Sequence, residues 1–335
     1  MTITLTTSAI RRTAIPLVLA SLLTACSTAP TAKETAQKTT KEAIAEGTTT
    51  NPQSIASNTD NAVTFGVLSI DSAVAVNERY SPLLDYLSEE IGRPVELTIL
   101  SQKTQFTEVE AGNLDFATTN PLSAVQIQRL YNTDFLVTVS RPKTGSEFGG
   151  LIVVDSNSDI TSVEDLKDKR AACVNFQTAA AGCTFQTYHL LQQGFNPEKD
   201  FSSFTENKSQ DNIVLSVLNG TIDVGFIRTG QLEKMLGKGL IDSLDDLRII
   251  DLANDDFFYP HTTALYPEWP IAALAETDPQ LSQQVKTALL ELPSGHPALT
   301  ALKVETFLPA VDYDPINSLI EALQLKGWDT SNASE

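Results

Sequence analysis

Polar side chains follow two short apolar segments that share one sequence pattern. Residues 107–120 (TEVEAGNLDFATTN) and 215–229 (LSVLNGTIDVGFIRT) each combine a helix end, a Gly and a short x-apolar-Asp-apolar-small strand. The first segment ends in Asn120, and the second ends in Arg228 and Thr229. Because ligands of open α/β sheets lie beyond the carboxyl ends of the strands, these residues are candidate walls of one ligand-binding cleft. Two ordinary turns between strand and helix would give the same pattern.

Four further polar residues could complete the rim of this cleft. Asp71 and Ser72 come after the first predicted strand, and Arg141 comes after a predicted strand that ends at residue 140. His261 lies where the chain is predicted to cross between two lobes. Ordinary alternatives exist, because Ser is a common N-cap and an Arg at a strand end is usually solvated.

The most suggestive cation is Arg228, because the three residues before it (GFI) are apolar. An Arg that emerges from a buried strand needs an anionic partner or a cleft, and an ion pair with an Asp of the hinge is the alternative to ligand binding. Gln177 and Thr178 lie in a loop before a predicted helix, where backbone N–H groups favour an anion. Simple capping of that helix explains the same two residues equally well.

The composition limits the class of protein. The chain of 335 residues contains 23 Lys and Arg against 42 Asp and Glu, which gives a net charge of −19. This balance argues against nucleic acid or anionic lipid as a partner, although a few Arg side chains could still form a local pocket for a small anion. The sequence contains no Walker A loop, G-x-S-x-G or H-E-x-x-H motif, and its three His residues lack ligand spacing. We therefore expect no enzyme activity, no cofactor and no metal site.

The first 61 residues have the composition of an export signal followed by a tether. Residues 1–25 combine two Arg with an apolar run, and the ending LTAC resembles a bacterial lipobox, in which Cys26 becomes the lipidated N-terminus. Such acylation would hold the protein at the extracytoplasmic surface of a membrane. An uncleaved anchor or an ordinary signal peptide is the alternative. Residues 26–61 contain almost no large apolar side chain, so we expect a flexible tether.

Two further cysteines, Cys173 and Cys183, flank a loop of nine residues. In an exported protein such a pair favours a disulfide, and closing so short a loop contributes roughly 2–3 kcal/mol in the loop-entropy description. Two buried free thiols are the alternative, because a sequence does not give the separation of the Cα atoms.

Strand and helix patterns alternate along the chain from residue 63. Strands are predicted at residues 63–68, 95–100, 116–118, 135–140, 150–154, 171–175, 201–205, 223–227 and 247–252. Helices are predicted at residues 81–91, 105–111, 121–130, 162–167, 185–193, 211–218, 231–236, 281–292 and 315–323. This order indicates an α/β protein with mainly parallel sheets and helices on both faces.

The same alternation predicts two lobes, of which the second is inserted into the first. Residues 62–152 together with 253–330 form the first lobe, and residues 153–252 form the second. The chain crosses between them near residues 150–155 and 249–261, so we expect a two-stranded hinge. A length of this size exceeds one typical domain and suits such a division.

Four segments resemble one known family, the type II periplasmic solute-binding proteins of the phosphate, phosphite and phosphonate group. They are residues 65–97, 111–121 (AGNLDFATTNP), 160–175 (ITSVEDLKDKRAACVN) and 217–227 (VLNGTIDVGFI). The resemblance implies two α/β lobes that close over a small ligand, commonly as the extracytoplasmic component of an ABC importer. It also implies a monomer that contacts a membrane permease.

Two features depart from the phosphonate-binding pattern. The loop at residues 177–182 (QTAAAG) has few hydroxyl groups where those proteins carry a Ser/Thr-rich loop around the phosphonate oxygens. Residues 228–242 and 261–274 resemble instead the sensory binding domains that work with bacterial sensor histidine kinases, including the tetrathionate-sensing type. That resemblance implies that Arg228 and Thr229 face the cleft and that residues 266–270 (YPEWP) form a turn near the hinge. We expect Trp269 to be a core residue, with a ligand contact as the alternative. The resemblance makes a sensor kinase the second candidate partner.

Overall fold

A computed structural model describes residues 62–325 of the chain. The predicted signal peptide, the lipidation site Cys26, the tether up to residue 61 and the end of the predicted first lobe at residues 326–330 lie outside the described residues. Within residues 62–325, no helix is long and apolar enough to cross a membrane.

The strands and helices follow the predicted alternation. The strands are β1 (Val63–Leu68), β2 (Val95–Leu100), β3 (Phe116–Thr118), β4 (Asp134–Ser140), β5 (Glu147–Phe148), β6 (Gly150–Asp155), β7 (Arg170–Cys173), β8 (Ser203–Glu206), β9 (Val224–Arg228), β10 (Leu247–Ile250), β11 (Tyr266–Pro267), β12 (Pro270–Ala273) and β13 (Thr306–Pro309). The helices are α1 (Ala73–Ile91), α2 (Thr104–Glu110), α3 (Pro121–Tyr131), α4 (Phe185–Gln192), α5 (Pro197–Asp200), α6 (Gln210–Leu218), α7 (Gln231–Gly237), α8 (Pro279–Glu291), α9 (Pro297–Leu302) and α10 (Asp314–Leu323).

Two sheets carry the fold, as the predicted two-lobed α/β class requires. The first has the strand order β13-β4-β12-β3-β1-β2, and the second has the order β10-β6-β9-β7-β8. Strands β1, β2 and β3 are parallel, whereas β12 lies antiparallel between β3 and β4 and β13 pairs antiparallel with β4. In the second sheet β7 is parallel to β8 and β9, and β6 is antiparallel to β9 and β10.

The predicted mainly parallel sheets are therefore mixed. Four strands of each sheet run in one direction, but β12 and β13 of the first sheet and β6 of the second run against them. Strands β6 and β12 are those that receive the chain after it has crossed from the other sheet. A crossing chain enters at the sheet edge that faces the other lobe, so its first strand runs opposite to the strands that end there.

The first helix begins earlier than predicted. We expected a helix over residues 81–91 with Pro82 in its first turn, but α1 extends from Ala73 to Ile91 and contains Pro82 in its interior. The Ser72 side chain caps it by accepting from the Ala75 N–H at 3.3 Å. A Pro at this position removes one backbone donor, and the carbonyl that loses its partner belongs to Glu78, which is exposed to water. The apolar face of α1, with Val76, Leu83 and Leu87 buried in the core of the first sheet, offsets this loss.

Three other predictions were wrong in detail. The helix predicted for residues 162–167 is only a 3₁₀ turn at Glu164–Leu166, because the backbone is extended at Lys167 and has a positive φ at Asp168, which ends the turn there. The segment between the last two predicted helices, expected to be a loop, contains α9 and β13. Short strands β11 and β12 were also missed, because Pro267 and Pro270 argue against a strand in this segment.

The crossing segments are bonded to each other where they leave the sheets. Gly150 N–H donates to Thr263 Oγ1 at 2.9 Å, and its carbonyl accepts from the Thr262 N–H at 2.8 Å. Thr262 Oγ1 accepts from the Ile152 N–H at 3.2 Å. The predicted lobe boundary at residue 152 falls inside β6, which belongs entirely to the second sheet.

A buried apolar cluster joins helices that follow the two different sheets. Leu122 of α3, Phe185 of α4 and Ile316 of α10 are fully buried together. The rings of Phe185 and Tyr266 stack with their centroids 4.0 Å apart. This packing holds α3 and α4 against each other on one side of the cleft.

Candidate functional site

A fully buried carboxylate organises the charged residues between the two sheets. Glu268 Oε1 accepts a hydrogen bond from Arg141 Nε at 2.7 Å and a longer one from Arg228 Nη2 at 3.4 Å. Its Oε2 accepts from the Trp269 N–H at 3.3 Å. Arg141 follows β4 of the first sheet and Arg228 ends β9 of the second, so one carboxylate contacts both sheets.

The backbone around Glu268 is held from two directions. The Glu268 N–H donates to Ser146 O at 2.8 Å, and its carbonyl accepts from the Tyr313 hydroxyl at 2.8 Å. Tyr313 also bonds Thr138 of β4 through its hydroxyl at 2.9 Å. These bonds fix the carboxylate beside the end of β4, so its position does not depend on the two arginines alone.

Glu268 compensates the charge of Arg141 more fully than the charge of Arg228. Burial acts to lower the pKa of Arg141, but the charge and the short hydrogen bond of Glu268 outweigh burial and raise it. Burial lowers the pKa of Arg228, and the more distant Glu268 only partly opposes this effect while Arg141 adds to it. Arg228 Nε is buried and has no hydrogen-bond partner among residues 62–325. One carboxylate thus faces two guanidinium groups, and Arg228 carries the uncompensated charge.

A second ion pair lies at the start of α1. Arg79 Nη2 contacts Asp71 Oδ2 at 2.6 Å, and Lys234 of α7 reaches Asp71 Oδ1 at 3.9 Å. Burial acts to raise the pKa of Asp71, but the Arg79 hydrogen bond and the charges of Lys234 and Arg79 lower it overall. Ser72 caps the helix and so sets the direction in which Arg79, two turns later, points. Predicted residues Asp71 and Ser72 therefore lie beside the charged cluster, one as an ion-pair partner and one as a helix cap.

A cavity beside these two ion pairs belongs to the first sheet and the helices that cover it. It encloses about 40 Å³ of free volume. Its polar lining consists of Arg79, Tyr80, Thr118 and Arg141. Its apolar lining consists of Leu68, Ile70, Val76, Leu83, Val139, Trp269, Ile271, Leu302, Val304 and Phe307.

The polar lining of the cavity offers donors that the protein does not use. Within residues 62–325 the Tyr80 hydroxyl has no hydrogen-bond partner, and Arg141 uses only its Nε, for Glu268. Burial raises the pKa of Tyr80, although Arg141 and Arg79 act to lower it, so the phenol stays protonated and can donate. The Thr118 hydroxyl is already committed as a donor to Pro270 O at 2.9 Å.

Three other predicted site residues meet at a different place, where α3 contacts the loop before α4. Asn120 Oδ1 caps α3 by accepting from the Leu122 and Ser123 N–H groups, and Asn120 Nδ2 donates to Thr178 O at 2.9 Å. Gln177 O accepts from Gln126 Nε2 at 3.0 Å. None of the three lines the cavity with Arg141. They join elements of the two sheets directly.

The remaining predicted residues, Thr229 and His261, lie at the crossing segments. Thr229 Oγ1 accepts from the Gly149 N–H at 3.3 Å. His261 is buried, with Nδ1 2.7 Å from Thr263 O and Nε2 3.0 Å from Asp255 Oδ2. Neither lines the cavity. Their contacts hold the crossing segments, and a role in ligand binding stays a prediction for both.

The structure joins Cys173 and Cys183 in a disulfide, with the Cα atoms 5.0 Å apart. Cys173 ends β7, and Cys183 lies in a π-helical turn at Ala180–Thr184 that leads into α4. The bond therefore closes the loop that holds Gln177 and Thr178. Among residues 62–325 no group of His, Cys, Asp and Glu is arranged to hold a metal ion.

Sequence reasoning missed Arg79, Tyr80 and Glu268. Arg79 and Tyr80 were assigned to a loop because the first helix was started too late. A Glu between Tyr266-Pro267 and Trp269-Pro270 was a usable signal, because a carboxylate among large apolar side chains needs a cationic partner. The ion pair considered for Arg228 exists, but its partner is Glu268 rather than an Asp of the hinge.

Comparison with known proteins agrees with this architecture. The structure of PhnD1 from Prochlorococcus marinus in complex with methylphosphonate has a TM-score of 0.65 and 19% identity, covering 79% of this chain and 98% of that protein. XAC2383 from Xanthomonas citri, bound to ATP, has a TM-score of 0.64 and 20% identity, covering 79% and 97%. A binding protein component of an ABC phosphonate transporter from Pseudomonas aeruginosa has a TM-score of 0.65 and 17% identity, covering 82% and 90%. At these identities the likeness shows the fold.

A curated relative is a longer protein. The tetrathionate sensor histidine kinase TtrS of Salmonella typhimurium is 25% identical over 277 residues, which cover 79% of this chain and 46% of the kinase. The chain therefore spans less than half the length of this relative.

The family profile that matches is described as ABC transporter, phosphonate, periplasmic substrate-binding protein, and it covers residues 65–314. Its members bind substrates and are not enzymes, which agrees with the missing catalytic motifs, and a periplasmic family implies an extracytoplasmic location. With the two sheets and the charged cleft in place, the chain belongs to the phosphonate-type periplasmic substrate-binding protein family of ABC transporters.

Proposed function

We propose that the protein is a lipid-anchored, extracytoplasmic solute-binding protein that captures a small anion between two lobes and delivers it to an ABC importer. The observation that carries this proposal is the sharing of one buried carboxylate by two arginines from different sheets. The shared carboxylate leaves one positive charge without a counter-charge at the place where the sheets meet. An anion supplies that charge, and Coulomb attraction is strong where water is excluded.

Binding favours lobe closure because the donors belong to both lobes. Arg141 and Tyr80 come from the first lobe, whereas Arg228 comes from the second. An anion that contacts both sets binds the closed arrangement more tightly than any arrangement that separates them, so it shifts the population toward closure. The crossing segments around Gly150 and Thr262 are the hinge in this proposal.

The first partner is an importer permease, and the second candidate is a two-component sensor kinase. Family membership supports the importer. The similarity to TtrS over 277 residues supports the kinase, for which the binding protein would report ligand rather than deliver it. Ligand-dependent ATP hydrolysis by a reconstituted importer supports delivery, whereas ligand-dependent autophosphorylation of a kinase with no effect on an importer overturns it.

The anchor and the lobe boundaries are part of the same proposal. Lipidation of Cys26 in the LTAC motif would place the domain at the membrane that holds its partner, at the end of a polar tether of residues 26–61. The lobes are residues 62–152 with 253–330 and residues 153–252, and the protein works as a monomer. Mass spectrometry of the protein from membranes tests the anchor: an N-terminal peptide that begins before residue 26 and carries no lipid contradicts it.

A thermal-shift screen of the full chain tests anion capture. Phosphate, phosphite, phosphonates, sulfur oxyanions and carboxylates are compared with chloride at equal ionic strength. A ligand present at 100-fold its Kd adds about 2.7 kcal/mol to the free energy of unfolding. Stabilisation by at least one anion that disappears in Arg141→Gln, but persists in the exposed control Arg129→Gln, supports the proposal. The absence of any anion effect contradicts it.

A further inference from the structure

We propose that the ligand is an amphipathic monoanion, with a charged head at Arg141 and Tyr80 and a short apolar body inside the cavity of the first lobe. This inference rests on the proposed function as an anion-binding protein. It adds the chemical class of the ligand, which differs from a small, fully polar oxyanion.

The walls of the cavity are the first argument. Ten of its fourteen lining residues are apolar, among them Leu83, Trp269 and Phe307. An inorganic oxyanion placed against these apolar side chains would lose its bound water and gain no hydrogen bond in return. A free volume of about 40 Å³, at about 10–15 Å³ for each water-sized group, accepts an apolar body of about three or four heavy atoms.

The free donors are the second argument, because they lie near one another: the charges of Arg141 and Arg79 both act on the pKa of Tyr80. The terminal nitrogens of Arg141 and the Tyr80 hydroxyl are not bonded to other groups of residues 62–325. Arg79 uses a single nitrogen, for Asp71. A guanidinium binds a planar or tetrahedral anionic group through two parallel N–H bonds, so these residues suit one anionic head.

The third argument concerns the groups that would otherwise hold a small oxyanion. The N–H groups at the start of α3 are capped by Asn120 Oδ1. The Gln177 and Thr178 N–H groups and the Thr178 hydroxyl all donate to Asn175 Oδ1. Donors that could wrap several oxygens of a small oxyanion are therefore already used, and the arginines remain.

The balance of charges among the buried site residues indicates that the anionic head of the ligand carries one negative charge. Arg141 and Arg228 share Glu268, which leaves one positive charge, and Arg79 is balanced by Asp71. Lys234 is more exposed, at 37% of its side chain, and water screens it. A monoanion neutralises the buried cluster, whereas a dianion would leave a charge in a site from which water is excluded.

Titration calorimetry with straight-chain alkanesulfonates from one to six carbons tests this inference on the full chain. These probes keep one charge at all accessible pH values. Sulfate serves as the fully polar reference, and methylphosphonate serves as a one-carbon reference with a different anionic head. We expect affinity to rise about fourfold for each added CH₂ until the cavity is full, and then to stop rising. Val76→Leu adds one carbon to the wall and should shorten the best chain by about one carbon. The control Val74→Leu, on the exposed side of the same helix, should not change the series.

Three outcomes decide the matter. A rising series whose limit shifts in Val76→Leu supports the inference. Binding of sulfate or methylphosphonate as tight as that of any alkanesulfonate, with no dependence on chain length, overturns it and leaves anion capture intact. If no anion of either kind binds, both the inference and the proposed function fail.

Discussion

Arg141 and Arg228 come from different sheets and meet at one oxygen, Glu268 Oε1, at 2.7 and 3.4 Å. The shorter bond holds Arg141 in place as part of the framework of the first sheet. Arg228 is held by a weaker bond, by the Phe148 ring 5.2 Å away and by burial that opposes its charge. The two side chains are therefore unequal partners, and substitutions should separate their roles.

Replacing Glu268 by Gln should destabilise the protein strongly. The variant leaves two arginines without a counter-charge in a buried site, and breaking a buried pair in this way costs about 3 kcal/mol or more. Urea denaturation at pH 7 measures the loss. A saturating anion should restore more stability to this variant than to the parent, because it replaces the missing charge. A free energy of unfolding within about 0.5 kcal/mol of the parent would show that Glu268 is not the organising carboxylate.

Replacing Arg228 by Gln should change ligand affinity more than stability. Burial already disfavours the charge of Arg228, so its removal should alter the free energy of unfolding by about 1 kcal/mol or less. Affinity for the best anion should fall by roughly 2–5 kcal/mol if the guanidinium pairs with it in the closed state. Calorimetry on the folded variant gives the affinity. The exposed Arg129→Gln serves as the control, and equal dissociation constants for the two variants would remove Arg228 from the site.

Local signals predicted much of the fold, and pairs of residues far apart in sequence explain most of what they missed. Strands β1, β2 and β3 begin and end at the predicted residues, because apolar runs and glycines mark them locally. The start of α1 was missed because Pro82 was interpreted as a first-turn residue. The Arg141–Glu268 pair spans 127 residues, and no pattern within one segment indicates which carboxylate an Arg will meet.

Lowering the pH should reveal the contribution of another ion pair, between Arg170 and Asp223 of the second lobe, to stability. The hydrogen bond from Arg170 lowers the pKa of Asp223 below its usual 3.8, and partial burial opposes this only in part. A lowered folded-state pKa contributes stability that is present above pH 3.8 and is lost as the pH falls through the folded value. Asp223→Asn should therefore lower stability at pH 7 by no more than about 1 kcal/mol, since the pair is partly exposed. The difference from the parent should shrink as the pH falls below 3.8. Asp159→Asn, an exposed carboxylate of the same lobe, is the control, and a parallel offset at every pH would contradict the assignment.

The disulfide should contribute to stability through the loop it closes. By the loop-entropy description, replacing both Cys173 and Cys183 by Ser should lower the free energy of unfolding by about 2–3 kcal/mol. Alkylation of the denatured parent without reductant, followed by mass spectrometry, should label neither of these two thiols, because unfolding would expose them if they were free. Two labelled thiols would contradict the bond. A variant of unchanged stability with weakened anion binding would show that the bond positions the loop and does not stabilise the fold.

Asn120 offers a way to separate helix capping from contact between the lobes. Its Oδ1 caps α3, and its Nδ2 donates to Thr178 O of the second lobe at 2.9 Å. Asn120→Asp keeps the cap, because Asp is an equally good N-cap, but it loses the donor and sets a carboxylate against a carbonyl. Asn120→Ala loses both functions and should cost about 1–2 kcal/mol of stability. We therefore expect Asn120→Asp to weaken closure more than its loss of stability indicates.

Small-angle scattering of the free and anion-saturated protein distinguishes these effects. The free Asn120→Asp variant should have a larger radius of gyration than the parent, and saturation with the best anion should reduce it to the parent value. Asn212→Asp makes the same change of charge in the first turn of α6, where the side chain is exposed, and should leave the radius unchanged. If Asn120→Asp and Asn212→Asp scatter alike, the bond to Thr178 does not hold the lobes together. In that case other contacts hold the lobes together, among them the bond from Gln126 Nε2 to Gln177 O, the bond from Ser123 Oγ to Thr178 O and the apolar cluster around Phe185.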